Sequence, residues 1–391
     1  MKIFQKLKNK ISKAVYTSLF KFIFIFTRII NNRIVAISMT GNNYGCNPKA
    51  ITDALLKTDS LLEIFWVFKK NRIPDSVDKK IRIVKYRSLY YYYIISTSRI
   101  IINNQRFIIG KDFLKRKGQI YIQTWHGTAL KKIEKDAIQV LGKDYYNNAI
   151  KDSSSWDIAI SDSAYHTKTL KDAFWYFGKI LEVGMPRNDI FFLNTSDIRK
   201  KVYDYYKIPE NSHIILYAPT FRNNNDYNEY QLNSELILKH IESRFSGRWF
   251  FLVRFHPNMI DNPIYDTFFD FSTSNVIDAT LYPDMQELLT ITNILITDYS
   301  SSIFDYLATK NPCFLYTPDI ESYDRGFYMN IKTLPFSYSL NEKELLTNID
   351  KFDYNIYREK IDSFNREFLH PYPNKDSSKT VASYIMASIG K

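Results

Sequence analysis

Short apolar runs alternate with stretches of helical periodicity along the first half of the chain. This alternation is typical of parallel sheets built from βαβ units, in which helices connect buried strands. The predicted strands of this half are Ile34–Met39, Glu63–Phe68, Ile81–Tyr86, Arg99–Asn103, Gln119–Thr124, Trp156–Ser161 and Lys179–Val183. Helices are predicted from Pro48 to Leu56 and from Ala164 to Phe177. The pattern predicts one Rossmann-like, doubly wound domain.

A second series of the same kind follows a polar, charge-rich stretch at residues 195–211. Its predicted strands are His213–Ala218, Trp249–Arg254, Asn275–Asp278, Asn293–Thr297 and Pro312–Tyr316, and its predicted helices are Gln231–Phe245, Met285–Ile291 and Ser301–Thr309. Residues 260–280 and 317–345 look like surface loops, and Asp376–Ser388 is a last helical pattern. The chain therefore predicts two Rossmann-like domains, whose ligands would bind at the carboxyl ends of the strands, around the crevice between them.

The first 33 residues have a helical pattern of their own. Apolar residues recur at helical spacing at Phe4, Leu7, Ile11, Ala14, Val15, Leu19, Phe22, Phe26 and Ile29. The most apolar stretch, residues 18–27, is too short for the roughly 20 residues that span a bilayer. It predicts an amphipathic helix lying on an anionic membrane surface, at the cytoplasmic face, as a peripheral anchor. The alternative is a helix packed on its own domain; a signal peptide is less favoured because no small-residue cleavage site follows.

Composition and charge narrow the class of protein. A length of 391 residues suggests two domains, and 45% hydrophobic with 24% charged residues is ordinary globular composition. The net charge of +12 comes mostly from residues 1–52, which hold nine basic and no acidic residues, so a nucleic-acid surface is not favoured. Two cysteines exclude a disulfide framework and a cysteine-based zinc site. The predicted division is 1–33, 34–200, 201–375 and 376–391: anchor helix, two domains, and C-terminal helix.

His126 is the first candidate for chemistry, in the stretch Gln123-Thr124-Trp125-His126-Gly127-Thr128 at the end of an apolar strand. A histidine with a reference pKa of ~6.5 can take a proton from a substrate hydroxyl at neutral pH. The alternative is a histidine that caps the core through a backbone hydrogen bond. The local sequence favours neither. No G-x-G-x-x-G or P-loop pattern is present, which removes the main support for dinucleotide and P-loop enzymes.

Three strand ends in the second half carry groups suited to phosphate. Alternation predicts that Arg254 and His256 share one face of their strand, where two cationic donors suit a pyrophosphate. Thr297, Asp298, Ser300 and Ser301 lead into a helix whose free N–H groups could bind an anion. The third strand end offers the Thr220 hydroxyl and the Arg222 guanidinium. The alternatives are an ordinary salt bridge for the arginine and plain helix capping for the serines.

With these residues in view, the chain resembles the CDP-glycerol glycerophosphotransferase family, the teichoic-acid primases and polymerases, over most of residues 35–388. The stretches that carry the resemblance are Asn47-Pro-Lys49, Gln119-Ile-Tyr-Ile-Gln-Thr-Trp-His-Gly-Thr128, Gly184-Met-Pro-Arg-Asn-Asp189, Leu216-Tyr-Ala-Pro-Thr-Phe-Arg222, Arg254-Phe-His-Pro257, Ile296-Thr-Asp-Tyr-Ser-Ser301, Phe304-Asp305 and Asp324-Arg-Gly-Phe327. Their order and spacing make chance agreement implausible.

The resemblance implies a GT-B-like architecture of two Rossmann-like domains facing a central cleft. It also implies transfer of glycerol phosphate from CDP-glycerol to a hydroxyl, with release of CMP. His126 matches the histidine proposed as general base, and His256 matches the second essential histidine. The matches on the donor side are Thr220, Arg222, Arg254, Thr297, Asp298, Ser300, Ser301, Asp305 and Arg325, and those on the acceptor side are Asn47, Lys49, Trp125, Gly127 and Thr128.

Departures from the family pattern leave the reactive groups in place. Ala129 stands where proline is usual, Phe255 where leucine is usual, and residues 44–47 read Tyr-Gly-Cys-Asn instead of Tyr-Ser-Asp-Asn. The mechanism that fits is in-line attack on the β-phosphorus by a hydroxyl that His126 deprotonates, with His256 and residues 297–301 stabilising the charge on CMP. Cationic side chains replace a metal, so no cofactor is expected.

Several alternatives stay open on the sequence. The donor could be CDP-ribitol, and the acceptor could be a lipid-linked sugar, a growing teichoic chain or a capsule repeat. A GT-B nucleotide-sugar glycosyltransferase shares the fold and would release a nucleoside diphosphate. A basic peripheral membrane-binding protein without catalysis is the non-enzyme reading, but it leaves two strand-end histidines unexplained. The sequence does not fix the oligomeric state.

Overall fold

The computed structural model describes residues 2–58, 61–69, 73–222, 231–256, 259, 269–323, 326–373 and 375–390, with side chains from residue 11 onward. The chain forms two compact units. The first comprises residues 1–126, 133–189 and 371–391, and the second comprises residues 127–132 and 190–370. The chain thus leaves the first unit after His126 and returns to it at Ile133.

Both units are built on parallel sheets. The first sheet has the order β3-β2-β1-β4-β5-β6-β7, with strands β1 Ile30–Ile37, β2 Glu63–Phe68, β3 Arg82–Lys85, β4 Ser98–Asn103, β5 Ile120–Gln123, β6 Ile158–Ser161 and β7 Lys179–Glu182. The second has the order β10-β9-β8-β11-β12-β13, with strands β8 Ser212–Ala218, β9 Arg248–Val253, β10 Val276–Asp278, β11 Ile294–Thr297, β12 Cys313–Tyr316 and β13 Ser337–Ser339. The central strands are almost fully buried, as expected when helices cover both faces of a parallel sheet.

Helices follow most strands in both units. In chain order, the α-helices of the described residues are α1 Lys2–Phe26, α2 Cys46–Leu55, α3 Leu89–Thr97, α4 Ile138–Leu141, α5 Lys143–Ser153, α6 Ala164–Ala173, α7 Ser196–Tyr206, α8 Ser234–Phe245, α9 Met285–Ile291, α10 Ser302–Tyr306, α11 Glu342–Asp350, α12 Tyr354–Phe364 and α13 Ser377–Ile389. The prediction of an α/β fold with two Rossmann-like domains and an N-terminal helix is confirmed.

The N-terminal helix α1 is part of the first unit. Phe20 is fully buried, and its ring meets the Tyr92 ring of α3 at 5.2 Å, edge to face. At the end of α1 the Arg116 guanidinium donates to the carbonyls of Phe24 and Thr27, at 2.9 and 2.5 Å. These carbonyls have no partner within the helix, so Arg116 acts as a C-terminal cap. One face of α1 is therefore packed on its own domain.

The C-terminal helix α13 also belongs to the first unit. It packs against α2, and the Asp189 carboxylate accepts hydrogen bonds from the N–H groups of Ser377 and Ser378 at 3.0 and 2.8 Å. A carboxylate at this end satisfies free N–H groups and opposes the positive end of the helix dipole. Residues 376–391 are thus an integral element of the domain that begins near the N-terminus.

One expectation about local structure needs correction, and the structure defines two further stretches of the chain. Residues 317–345, expected to be a surface loop, contain strand β13, whose alternating Ser-Tyr-Ser has no apolar run to reveal it. Residues 195–211, a polar, charge-rich stretch in the sequence, contain α7, whose exposed side chains are mostly charged. The contacts divide the two units after Asp189, and α7 packs against α9 of the second unit.

Candidate active site

The His126 imidazole lies just beyond the carboxyl end of β5 and is held by the backbone. Its Nδ1 is 2.7 Å from the carbonyl oxygen of Asn104, which follows the neighbouring strand β4. A carbonyl accepts only, so Nδ1 carries the proton and Nε2 keeps its lone pair. No hydrogen-bond partner of Nε2 occurs among the described residues. The ring therefore presents a basic nitrogen in a fixed tautomer.

Burial and charge keep this imidazole neutral. Burial, with a smaller contribution from the positive charge of Arg187, lowers the pKa of His126 to about 4. The Trp125 ring stacks on the imidazole with centroids 4.5 Å apart and an angle of 26°. The base form is thus fully populated at pH 7, as proton abstraction requires, although its low pKa makes it a weak base until an anionic ligand raises that pKa.

The other acceptor-side residues fall into two groups. Asn47 is fully buried, and its side-chain amide donates a hydrogen bond to the carbonyl of Thr124, two residues before His126. Lys49 is partly exposed and pairs with Asp53, Nζ to Oδ2 at 3.0 Å. Gly127 and Thr128 follow His126 but make their contacts within the second unit, where Thr128 is buried. Trp125 and Lys49 are the acceptor-side residues with exposed surface.

In the second unit a buried ionic network joins residues that follow three strands, β8, β11 and β12. The Arg222 guanidinium contacts Asp298 Oδ2 and Asp319 Oδ2, each at 2.7 Å. Asp298 also accepts hydrogen bonds from the Thr220 N–H at 2.9 Å and the Thr220 hydroxyl at 2.5 Å. Tyr299 donates its hydroxyl proton to Asp319 at 3.0 Å. Thr220, Arg222 and Asp298, which were predicted to bind the donor, are thus joined to one another by hydrogen bonds and an ion pair.

Arg254 and His256 follow β9 in different environments. Arg254 Nη1 donates to the carbonyl of Tyr282 at 2.6 Å, and burial lowers the pKa of its guanidinium. His256 is exposed, with its ring 5.5 Å from that of Phe221. Partial burial and the charge of Arg254 lower the pKa of His256. His256 is therefore the member of the pair that solvent reaches more fully.

The turn after β11 contains both engaged and accessible hydroxyls. The Thr297 hydroxyl donates to the Ala218 carbonyl at 2.6 Å, and Asp305 Oδ2 accepts from the Gln286 amide at 3.1 Å. Ser300 and Ser301 are partly exposed, and the Ser302 hydroxyl donates to Ser300 Oγ at 2.8 Å. Arg325 lies outside the described residues. In the described residues, no three or more His, Cys, Asp or Glu side chains are grouped to hold a metal ion.

Sequence reasoning missed residues that act through their position. Asn104 orients His126 through a backbone carbonyl, which no side-chain pattern reveals. Asp319 binds Arg222 from a loop 97 residues away in the chain. Arg187 lies in the quoted Gly184–Asp189 stretch and donates to the His126 carbonyl at 2.7 Å. Its place in that motif was the available signal.

The two Rossmann-like units, each built on a parallel sheet, define a GT-B-like class of fold. Within this class, the model of the CDP-glycerol:poly(glycerophosphate) glycerophosphotransferase family matches residues 19–387. The chain belongs to this family of enzymes.

The chain is similar to proteins named as teichoic acid polymerases. This chain is 30% identical to a teichoic acid poly(glycerol phosphate) polymerase of Bacillus spizizenii, over 98% of this chain and 99% of the relative. It is 34% identical to a polymerase of that name from Staphylococcus epidermidis, over 86% of this chain but only 48% of the relative, so it spans about half of that protein. A solved structure of the wall teichoic acid polymerase TagF is similar, with a TM-score of 0.83, 30% identity, and 100% and 97% of the two chains covered.

Proposed function

We propose that the protein transfers glycerol phosphate from CDP-glycerol to a hydroxyl of a teichoic-acid-type acceptor and releases CMP. The family supports the donor class and the reaction type. The observation that carries the proposal is the His126 imidazole, which has its proton fixed on Nδ1 and a lone pair available on Nε2. Such a group can accept the proton of an attacking hydroxyl.

The bond changes follow from these roles. Nε2 of His126 removes the acceptor's hydroxyl proton while the oxygen attacks the β-phosphorus, which bears the glycerol. The bond from this phosphorus to the bridging oxygen breaks, and CMP leaves with the electron pair. The exposed His256 and the partly exposed Ser300 and Ser301 are the groups proposed to neutralise the leaving phosphate. A donor phosphate beside His256 raises the pKa of that imidazole and favours its protonated form.

We further propose that α1 holds the enzyme on an anionic membrane surface, beside a lipid-linked or polymeric acceptor. The face of α1 opposite to α3 exposes apolar side chains, with Phe22 60% and Ile25 75% exposed. Lys21 is exposed on α1, and Arg28 is exposed two residues after the helix ends. An apolar stripe flanked by cations is the pattern of an interfacial helix. None of the helices in the described part of the chain has the length and hydropathy to span a bilayer.

CMP release tests the reaction. Purified protein is incubated with CDP-glycerol, and separately with CDP-ribitol, each with and without a lipid-linked amino-sugar acceptor analogue. We expect acceptor-dependent CMP from CDP-glycerol and a loss of at least about 100-fold in His126→Ala, the low end of the range for removing a general base. Faster CMP release from CDP-ribitol than from CDP-glycerol would identify CDP-ribitol as the donor. No CMP from either donor, or full activity of His126→Ala, would contradict the proposal.

A further inference from the structure

The loop that carries His126 has a strained backbone. Trp125 has φ 47°, in the left-handed region that non-glycine residues rarely adopt, and Gly127 has φ 142°. A bulky residue adopts this region at an energetic cost and persists there only where its surroundings impose it. The groups that hold this loop therefore determine where the imidazole lies.

Two side chains hold three consecutive carbonyls of this loop. The Asn47 amide Nδ2 is 3.2 Å from the carbonyl oxygen of Thr124 and 3.2 Å from that of Trp125. The Arg187 guanidinium donates to the next carbonyl, that of His126, at 2.7 Å. These side chains come from α2 and from the segment after β7, so two distant parts of the first unit meet on one tripeptide.

The two side chains are also joined to each other. Asn47 Oδ1 accepts a hydrogen bond from the backbone N–H of Arg187 at 3.1 Å. The amide of Asn47 thus uses both its oxygen and its nitrogen within the protein, and the residue is fully buried. A side chain placed in this way does not contact an acceptor. It fixes the backbone that presents the base.

We infer that Asn47 and Arg187 are positioning residues: they hold the carbonyls of residues 124–126 and thereby set the location and orientation of the His126 imidazole. This inference rests on the proposed function of His126 as the base. Misplacement of a catalytic group by about 1 Å can cost ~100-fold in rate. Loosening the loop should therefore lower kcat while leaving donor affinity unchanged, because the proposed donor groups belong to the second unit.

The test compares Arg187→Met, which keeps the side-chain length but removes the donors, with Arg187→Lys, which restores one donor, and with Asn47→Ala. We expect kcat to fall about 10- to 100-fold in Arg187→Met and Asn47→Ala, with KM for CDP-glycerol within about twofold of wild type. Arg187→Lys should recover part of this loss. Arg33→Met is the matched control, since it removes a buried arginine paired with Glu63 at 2.8 Å, in the same unit but away from the loop.

A second readout does not depend on turnover. Titration of the His126 ring by NMR in Arg187→Met should show its pKa raised from the wild-type value, because a neighbouring positive charge has been removed. Arg33→Met should lower the melting temperature without changing kcat or this titration. Wild-type kcat in folded Arg187→Met and Asn47→Ala, or a loss confined to KM, would overturn the inference. If His126→Ala itself retained activity, the proposed function would fail instead.

Discussion

At the scale of single residues, the candidate base is defined by its neighbours more than by its own side chain. The Asn104 carbonyl selects the tautomer of His126, and the stacked Trp125 ring limits its rotation. Burial and Arg187 lower the pKa. These three effects lead to a basic nitrogen that is neutral at physiological pH and points in a defined direction.

The pH dependence of activity should report this environment. The active form of His126 is deprotonated, so kcat/KM falls as the pH falls through its pKa. Since that pKa is about 4, we expect no acid limb from His126 near the ordinary value of ~6.5. The measurement is kcat/KM between pH 4.5 and 9, with the His126 ring followed by NMR in the absence of donor. A His126 titration centred at or above pH 6.5 would contradict this expectation.

A second residue-scale expectation concerns Arg222, which binds two buried carboxylates. Arg222→Met leaves Asp298 and Asp319 without their cation, and breaking a buried pair in this way typically costs about 3–5 kcal/mol. We expect a loss of this order in the free energy of unfolding, measured by urea denaturation. If the variant folds as stably as wild type but loses affinity for CDP-glycerol, Arg222 acts as a donor ligand and not as part of the framework.

At the scale of elements, α1 has one packed face and one exposed apolar face. Its inner face contributes Phe20 to the core and is fixed at its end by Arg116. Its outer face leaves Phe22, Ile25 and Phe26 exposed, a costly arrangement for a helix that meets only water. Helical periodicity in the sequence revealed the apolar positions but not which of them pack inward.

Replacing the outer apolar side chains should weaken membrane binding. Burial of one large apolar side chain contributes ~1.5–3 kcal/mol, so Phe22→Ser and Ile25→Ser should each lower the partition coefficient onto anionic vesicles about tenfold or more. The measurement is vesicle co-sedimentation with phosphatidylglycerol-containing and with purely zwitterionic lipid. Phe177→Ser is the matched control, because Phe177 is 88% exposed in the same unit but lies outside α1. Equal binding by the α1 variants and this control would contradict membrane attachment through α1.

At the scale of the whole molecule, the two sheets divide the expected chemistry. The first unit carries the His126 loop, and the second carries His256 and the hydroxyl-rich turn after β11. A short segment, residues 127–132, leaves the first unit directly after His126 and pairs with the second through Lys131 and Phe327. The proposed base thus belongs to the first unit, and the groups proposed to stabilise the leaving phosphate belong to the second.

The absence of a metal requirement stays a prediction and can be tested directly. Protein cations can stabilise the charge that develops on a departing phosphate, which is the role often taken by Mg²⁺. We expect CMP release to persist within about twofold after EDTA treatment and gel filtration. The control is re-addition of Mg²⁺ or Mn²⁺ to the treated enzyme. A loss of activity that either ion restores would show that a metal takes part.

The alternation of apolar runs and helical patterns was sufficient to predict both sheets and nearly every central strand, because buried strands of a parallel sheet must be continuously apolar. The alternation did not reveal β13 or α7. The short strand β13 is mostly polar, and α7 exposes mostly charged side chains, so neither has a continuous apolar run in the sequence. The order of the motifs also identified the residue types of the candidate site, including His126 and His256.

The sequence by itself therefore determined the fold class, the family resemblance and the chemical groups available. Only the tertiary structure decided which of those groups are accessible. Asn47, Arg222 and Thr297 are hydrogen-bonded within the protein, whereas His126 presents Nε2. The physical reason is that a side chain's role depends on partners distant in the chain, such as Asp319 for Arg222. Local sequence specifies the donor or acceptor, but the folded chain specifies what it meets.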